Sequence, residues 1–213
     1  MRLQAPKLVI WVVAASAAAG GTANSVNADE LTALLPPVSS DSQAAAEIRN
    51  ARARNLYDAV ISSGEKALAI APDNIPILLA LAEVMPNGTV DSESLDRSEK
   101  YATRALELSE SRLVIPRLTM DDYDALRRQL RSRAHAALGL VAVKRGAVPL
   151  ATREFETAVS ENPDADGVQL YRLAKLYLAS GRRADATALL QKALQIGPQE
   201  ISSLAAAELS RER

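Results

Sequence analysis

From about residue 42 onward, apolar side chains recur every three or four positions, and no segment alternates apolar with polar residues over the length of a strand. Gly and Pro fall at the ends of the periodic stretches. The pattern predicts helix throughout. Three stretches, 57–71, 147–162 and 183–197, align with one another, and each runs out at a proline: Pro72, Pro163 and Pro198. The last two prolines are 35 positions apart, close to the roughly 34-residue spacing at which helix-turn-helix units repeat. The spacing predicts four helical hairpins, at 42–72, 74–110, 119–163 and 166–198, and a capping helix over 199–211.

Small residues mark where the helices of a hairpin meet. Gly139, Ala151 and Ala158, like Ala174, Ala186 and Ala193, stand where two helix axes must approach within about 8–10 Å, and Phe155 and Leu190 fill the space beside them. Asn55, Gly146 and Gly181 fall just past the first helix of their units, where the left-handed residue that ends a helix costs least for Gly or Asn. Asp73 or Asn74, Thr119 with Asp122, and Asp166 offer side-chain acceptors to the free amides of the next helix. The first unit has a weak leading helix at 42–54. The second inserts residues 86–92 between its helices and lacks a closing proline. A helix over 119–145 carries Tyr123, Leu126, Leu130, Ala134, Ala137 and Val141 on one stripe, and its length predicts that it projects beyond the stack. In the capping segment Ile201, Leu204 and Leu209 are expected inside, with Glu200, Glu208, Arg211 and Glu212 outside, as suits the open end of a solenoid.

The first 28 residues have a different character. Arg2 and Lys7 precede an apolar run from Leu8 to Ala19, and small residues follow up to Ala28. That order is the order of a secretory signal peptide. Cleavage is expected after Ala28, with Val26 and Ala28 in the small positions, or after Ala23 as second choice. The apolar run is about a dozen residues, whereas a spanning helix needs about 20, so no stable membrane span is expected after cleavage. With no Cys in the chain there is no site for a lipid anchor, a disulfide or a thiolate zinc site. Residues 29–41, with Pro36 and Pro37, read as an N-terminal arm, and the expected location is the periplasm or the outside of the cell.

Charge and chemistry narrow the function classes. Lys and Arg number 25 against 26 Asp and Glu, which gives no general attraction for a polyanion, so no nucleic-acid partner is expected. One His, one Trp and one Phe leave little catalytic or base-stacking inventory. No nucleophile, base and orienting group stand together at motif spacing, and Tyr171 with Lys175 is an ordinary one-turn pair on a helix surface. The expectation is a non-enzyme with no catalytic residues, no cofactor and no metal. Residues 162–167 open like a calcium loop, but the twelfth position, which must be a bidentate Glu, is Leu173. His135 is expected to pack between helices. Arg127, Arg128, Arg131 and Arg133 concentrate charge on the 119–145 helix and read mainly as a solvated face. The apolar stretch Leu113, Val114, Ile115 and Pro116 is expected to seal the joint between units.

At the residue level the third and fourth units resemble the tetratricopeptide repeat (TPR) family. In the third, counted from Ser132, the family pattern falls on Leu138, Gly139, Ala151, Phe155, Ala158 and Pro163, with His135 and Ala142 where an aromatic residue and Tyr are usual. In the fourth, from Gly167, it falls on Leu170, Leu173, Ala174, Tyr177, Ala186, Leu190, Ala193 and Pro198. The first unit keeps Tyr57, Ala67 and Pro72 but has Gly64 at the Phe position, and the second keeps Ala102 and Ala105. The resemblance implies an all-α, right-handed solenoid of hairpins over 42–213. It also implies a concave groove lined by the first helix of each unit, which holds an extended or helical segment of another protein. Carried over by position, that groove comprises Arg49 and Arg52, Leu78 and Ala82, Arg133, Ala136, Leu140 and Lys144, and Tyr171, Arg172, Lys175 and Leu178. Its mix of cations and apolar residues suits a segment with acidic groups, although the Lys and Asn set that clamps a terminal carboxylate in this family is not reproduced. The function implied is an adaptor for a protein or peptide partner in the cell envelope. The alternative is an envelope structural component that stacks through the 119–145 helix and the terminal cap.

Overall fold

The computed structural model describes residues 57–87, 91–111, 119–162 and 166–211. Within them the chain is helical: α1 Tyr57–Ile70, α2 Ile75–Val84 with a 3-10 turn at Met85–Asn87, α3 Ser92–Glu110, α4 Met120–Lys144, α5 Val148–Glu161, α6 Gly167–Ala179, α7 Arg183–Ile196 and α8 Gln199–Arg211. The leader, the arm, the 42–54 helix, Asn55, the 113–116 stretch and Pro163 lie outside the described residues.

Local chemistry sets the helix ends. Asn74 Oδ1 accepts from the Ile77 amide at 3.2 Å and Asp91 Oδ1 from Ser94 at 2.6 Å. Thr119 Oγ1 accepts from the Asp122 amide at 3.2 Å while its hydroxyl donates to Asp122 Oδ2 at 2.7 Å, and Asp166 accepts from Val168 at 3.0 Å. Each satisfies an amide with no carbonyl partner in its own helix. The turns inside the last two hairpins pass through Gly146 at φ 72° and Gly181 at φ 78°, a region where a side chain is strained.

The helices pack in two layers. The hairpins α2–α3, α4–α5 and α6–α7 each pack their two helices together, α1 packs on α2, and α2 also packs on α4 and α6 on α8. Among the described residues no two of α1, α3, α5 and α7 pack backbone against backbone in this way. Ion pairs between side chains join them instead, Arg97 with Glu65 and Arg182 with Glu156. First helices approach at two joints, α2 with α4 and α6 with α8, and no pair of second helices does so among the described residues, which puts α2, α4, α6 and α8 on the inside of the curve.

Two close approaches hold the layers in register. A Cβ on Gly139 would come within 2.8 Å of the Phe155 ring, and one on Gly167 within 2.3 Å of the Gly197 Cα. Phe155, Leu170, Leu190 and Ala205 are fully buried in the C-terminal core. A second core joins Ile75, Leu79 and Leu108 to Leu126 and Leu130.

Three sequence expectations are corrected. The 119–145 helix, here α4, does not project: Leu126 and Leu130 must leave water, and the α2 and α3 side chains of the second core cover them. In α8 the inward side is Ile201, Ala205, Glu208 and Leu209, because Leu204 is 47% exposed while Glu208 is buried against Lys175. Arg131, read as part of a solvated face, ties three helices together, reaching Glu110 at 2.8 Å and Glu161 at 2.9 Å.

Candidate functional site

The inner layer is stitched across its helices by polar contacts. Between α2 and α4, Arg133 Nε and Nη2 donate to the two oxygens of Glu83 at 2.7 and 3.0 Å. Between α4 and α6, the Ser132 hydroxyl lies 2.7 Å from the Ala158 carbonyl and 3.3 Å from Gln169 Oε1. Between α6 and α8, Lys175 Nζ donates to Glu208 Oε1 at 2.7 Å. The side chains of Arg133 and Glu83 are 17% and 21% exposed. Burial alone would pull the Arg133 guanidinium below its ordinary pKa, and the charge and hydrogen bonds of Glu83 outweigh it and raise the value. The Lys175 hydrogen bond, opposed by burial, holds Glu208 below the usual glutamate value.

The described residues among those expected to line a groove divide into three groups. Leu78 and Leu140 are 2% and 7% exposed and belong to the core, as do Ala82 and Ala136. The reason lies in α2, where Ile75 through Ala82 and Val84 are all buried because α1, α3 and α4 surround the helix; it has no solvated face on which Leu78 could stand. Arg133 and Lys175 are engaged by Glu83 and Glu208. Tyr171, Arg172 and Leu178 are half-buried and Lys144 is exposed. Arg49 and Arg52 lie outside the described residues.

Arg172 stands apart. Among the described residues no carboxylate lies within 4.0 Å of it and it makes no hydrogen bond, whereas Arg97, Arg127, Arg131 and Arg133, also half-buried, each have an acidic partner. Burial lowers its pKa, and the charges of Asp166 and Glu83 oppose that through space without overcoming it. Sequence reasoning missed Glu83 and Glu208, the two acids that neutralise groove cations. Glu83 did leave a signal: it is the one charged residue in the run 75–85, and a lone charge in an apolar helix requires a partner.

The remaining polar groups serve packing. His135 Nδ1 is 2.8 Å from Glu154 Oε2 and joins α4 to α5. Tyr177 donates to Glu156 at 2.7 Å, and the Arg182 guanidinium lies 3.7 Å above the Tyr177 ring. Among the described residues no helix is long and apolar enough to cross a membrane, and no three acidic or His side chains cluster as a metal site.

Comparison with known proteins agrees with this geometry. No curated protein matches the chain. Among solved structures, a thermophilic TPR protein of Thermus thermophilus is similar at 21% identity and a TM-score of 0.53, over 79% of this chain and 81% of that one. The MamA protein (20% identity, 73% and 91% covered, TM-score 0.28) also matches. So does the flexible tandem repeat domain of a bacterial cellulose synthase component (18%, 83% and 93%, 0.31). Both superpose too loosely to bear on this chain's fold. Residues 142–208 match the tetratricopeptide repeat family, and the chain has the all-α, TPR-like solenoid fold.

Proposed function

We propose that this chain is a non-enzymatic adaptor of the cell envelope that binds an extended or helical segment of a partner protein on its inner layer. The observation that carries the reading is the composition of that layer around α6. Tyr171 and Leu178 offer half-buried contact area, and Arg172 is a cation that the described part of the fold does not neutralise. Stability alone gives no reason to hold a guanidinium there, since burying a charge without a partner costs free energy. The envelope location rests on the order of charge, apolar run and small residues in positions 1–28.

The test is affinity capture from native envelope extract with residues 29–213 as bait, beside the same bait carrying Lys144→Glu and Arg172→Glu. Arg133 and Lys175 are left intact, because reversing either would place two negative groups together between inner helices. Circular dichroism confirms that both baits are helical. Partners held by the parent and lost by the variant support the reading. Identical capture by both baits rejects binding on this layer.

A further inference from the structure

The two acids nearest in charge to Arg172 are both already occupied. Glu83 has both oxygens engaged by Arg133, and Asp166 accepts from the Val168 amide as the cap of α6. Two guanidinium groups therefore act around one carboxylate on the inner layer, and among the described residues one of the two is left without an acceptor. A half-buried guanidinium in this position gains more from an incoming anion than a solvated one does, because part of its desolvation has already been met by folding.

The rest of the surroundings sets what the anion can be. Glu83 and Asp166 project negative potential toward the same place, so a run of carboxylates on the ligand would be repelled by the groups that flank its first contact. The other inner cations, Arg133 and Lys175, are filled by Glu83 and Glu208 and offer no second position. Tyr171 and Leu178, seven positions apart, share one face of α6 about 100–120° round the helix from Arg172; they are half-buried, and their partly exposed edges are the apolar surface of α6 nearest the charge. We propose that Arg172 anchors one isolated Asp or Glu side chain of the bound segment, with apolar residues of that segment lying on Tyr171 and Leu178. This rests on the inner layer being the binding face. A phosphorylated side chain, with about two charges, would exceed the charge of one guanidinium.

The experiment selects a random dodecapeptide library displayed on phage against the full chain, and measures the enriched peptides by fluorescence anisotropy. The recovered sequences are expected to share one acidic residue between apolar ones. Replacing that residue by its amide, or making Arg172→Gln, should weaken binding about 10- to 100-fold, and the two changes together should cost little more than either alone. Arg128→Gln, which removes an exposed cation of α4, should leave affinity unchanged. Arg172→Met, in which an apolar side chain replaces a half-buried charge with no acceptor among the described residues, should raise Tm while abolishing the anchor. That combination separates a binding residue from a structural one.

Peptides whose affinity ignores Arg172→Gln, Arg172→Met and their own acidic residue overturn the anchor, even if Tyr171→Ala still weakens them and the inner face stands. Enrichment of acidic runs over single acids overturns the single-carboxylate chemistry, and so does tighter binding, by anisotropy, of an enriched peptide resynthesised with phosphoserine in place of its acid. Failure to enrich any sequence overturns the inner face and the anchor together.

Discussion

At the joint between α4 and α5 a phenyl ring enters the gap left by a glycine, and at the joint between α1 and α2 a leucine does the same from the opposite helix of the repeat. Gly139 on the first helix of its hairpin receives Phe155 from the second; Gly64, on a second helix, receives Leu81 from the first helix of the next unit. Both large side chains are fully buried. Close approach requires one small and one large partner, and either helix can supply the large one. A repeat pattern records which residue type stands at which position, so the C-terminal joint is recognisable and the N-terminal one, with large and small exchanged, is not. The family match over residues 142–208 includes Phe155 and leaves Gly64 and Leu81 outside.

The comparison is broken most severely by removing the large partner. Phe155→Ala should cost about 3–5 kcal/mol in equilibrium denaturant unfolding, and Leu81→Ala about 2–5 kcal/mol, since both leave cavities in closed cores. Next in size is the inner-layer pair. Glu83→Gln removes the charge that Arg133 needs and should cost about 2 kcal/mol, less than for a fully buried pair because both side chains keep some contact with water.

Adding to the small partner sharpens the contrast. Gly139→Ala brings a methyl against a ring that cannot bend away, so overpacking outweighs the helix propensity gained, for a net loss of about 1 kcal/mol. In Gly64→Ala the methyl meets Leu81 Cδ2 at 2.7 Å and the branch atom Cγ at 2.9 Å; a leucine can move off by rotating about two side-chain bonds where a ring cannot bend, so the net loss should be smaller, about 0.5 kcal/mol. Thermal unfolding of the two variants in parallel checks the difference in size.

The smallest effect is on pH dependence. The hydrogen bonds from Tyr177 and Arg182 hold Glu156 below the ordinary glutamate value of 4.5. A carboxylate depressed on folding contributes stability that is present above the unfolded value and lost as pH falls through the folded one. The stability difference between the parent and Glu156→Gln should therefore shrink as pH drops from about 6 toward about 3, and remain constant above about 6. A difference that grows on acidification contradicts the role given to this carboxylate.

Local signals made much of the architecture legible. The caps at Asn74, Thr119 with Asp122, and Asp166 bind amides two or three positions away, and Gly146 and Gly181 act through their own φ. Such features depend on nothing elsewhere in the chain. The candidate site was legible only in part, because it depends on register between helices far apart in sequence. Arg133 finds Glu83 across 50 positions and Lys175 finds Glu208 across 33; nothing local distinguishes these cations from Arg172, which finds no acid among the described residues. Leu78 was misplaced for a related reason. Helical spacing locates a face of α2 but not how many neighbours surround it, although a run with one charge in eleven residues, 75–85, is the composition of a helix buried on all sides.

The claim that the inner layer is where a partner binds is tested most directly by site-specific photocrosslinking in intact cells, which works whatever the partner is. A photoreactive side chain replaces Lys144, exposed on α4, in one strain and Arg153, exposed on α5, in another. Adducts to another protein from position 144, lost when Arg172→Glu is added, are the predicted result. Adducts from position 153 with none from 144 would contradict the account and place the binding surface on the outer helices.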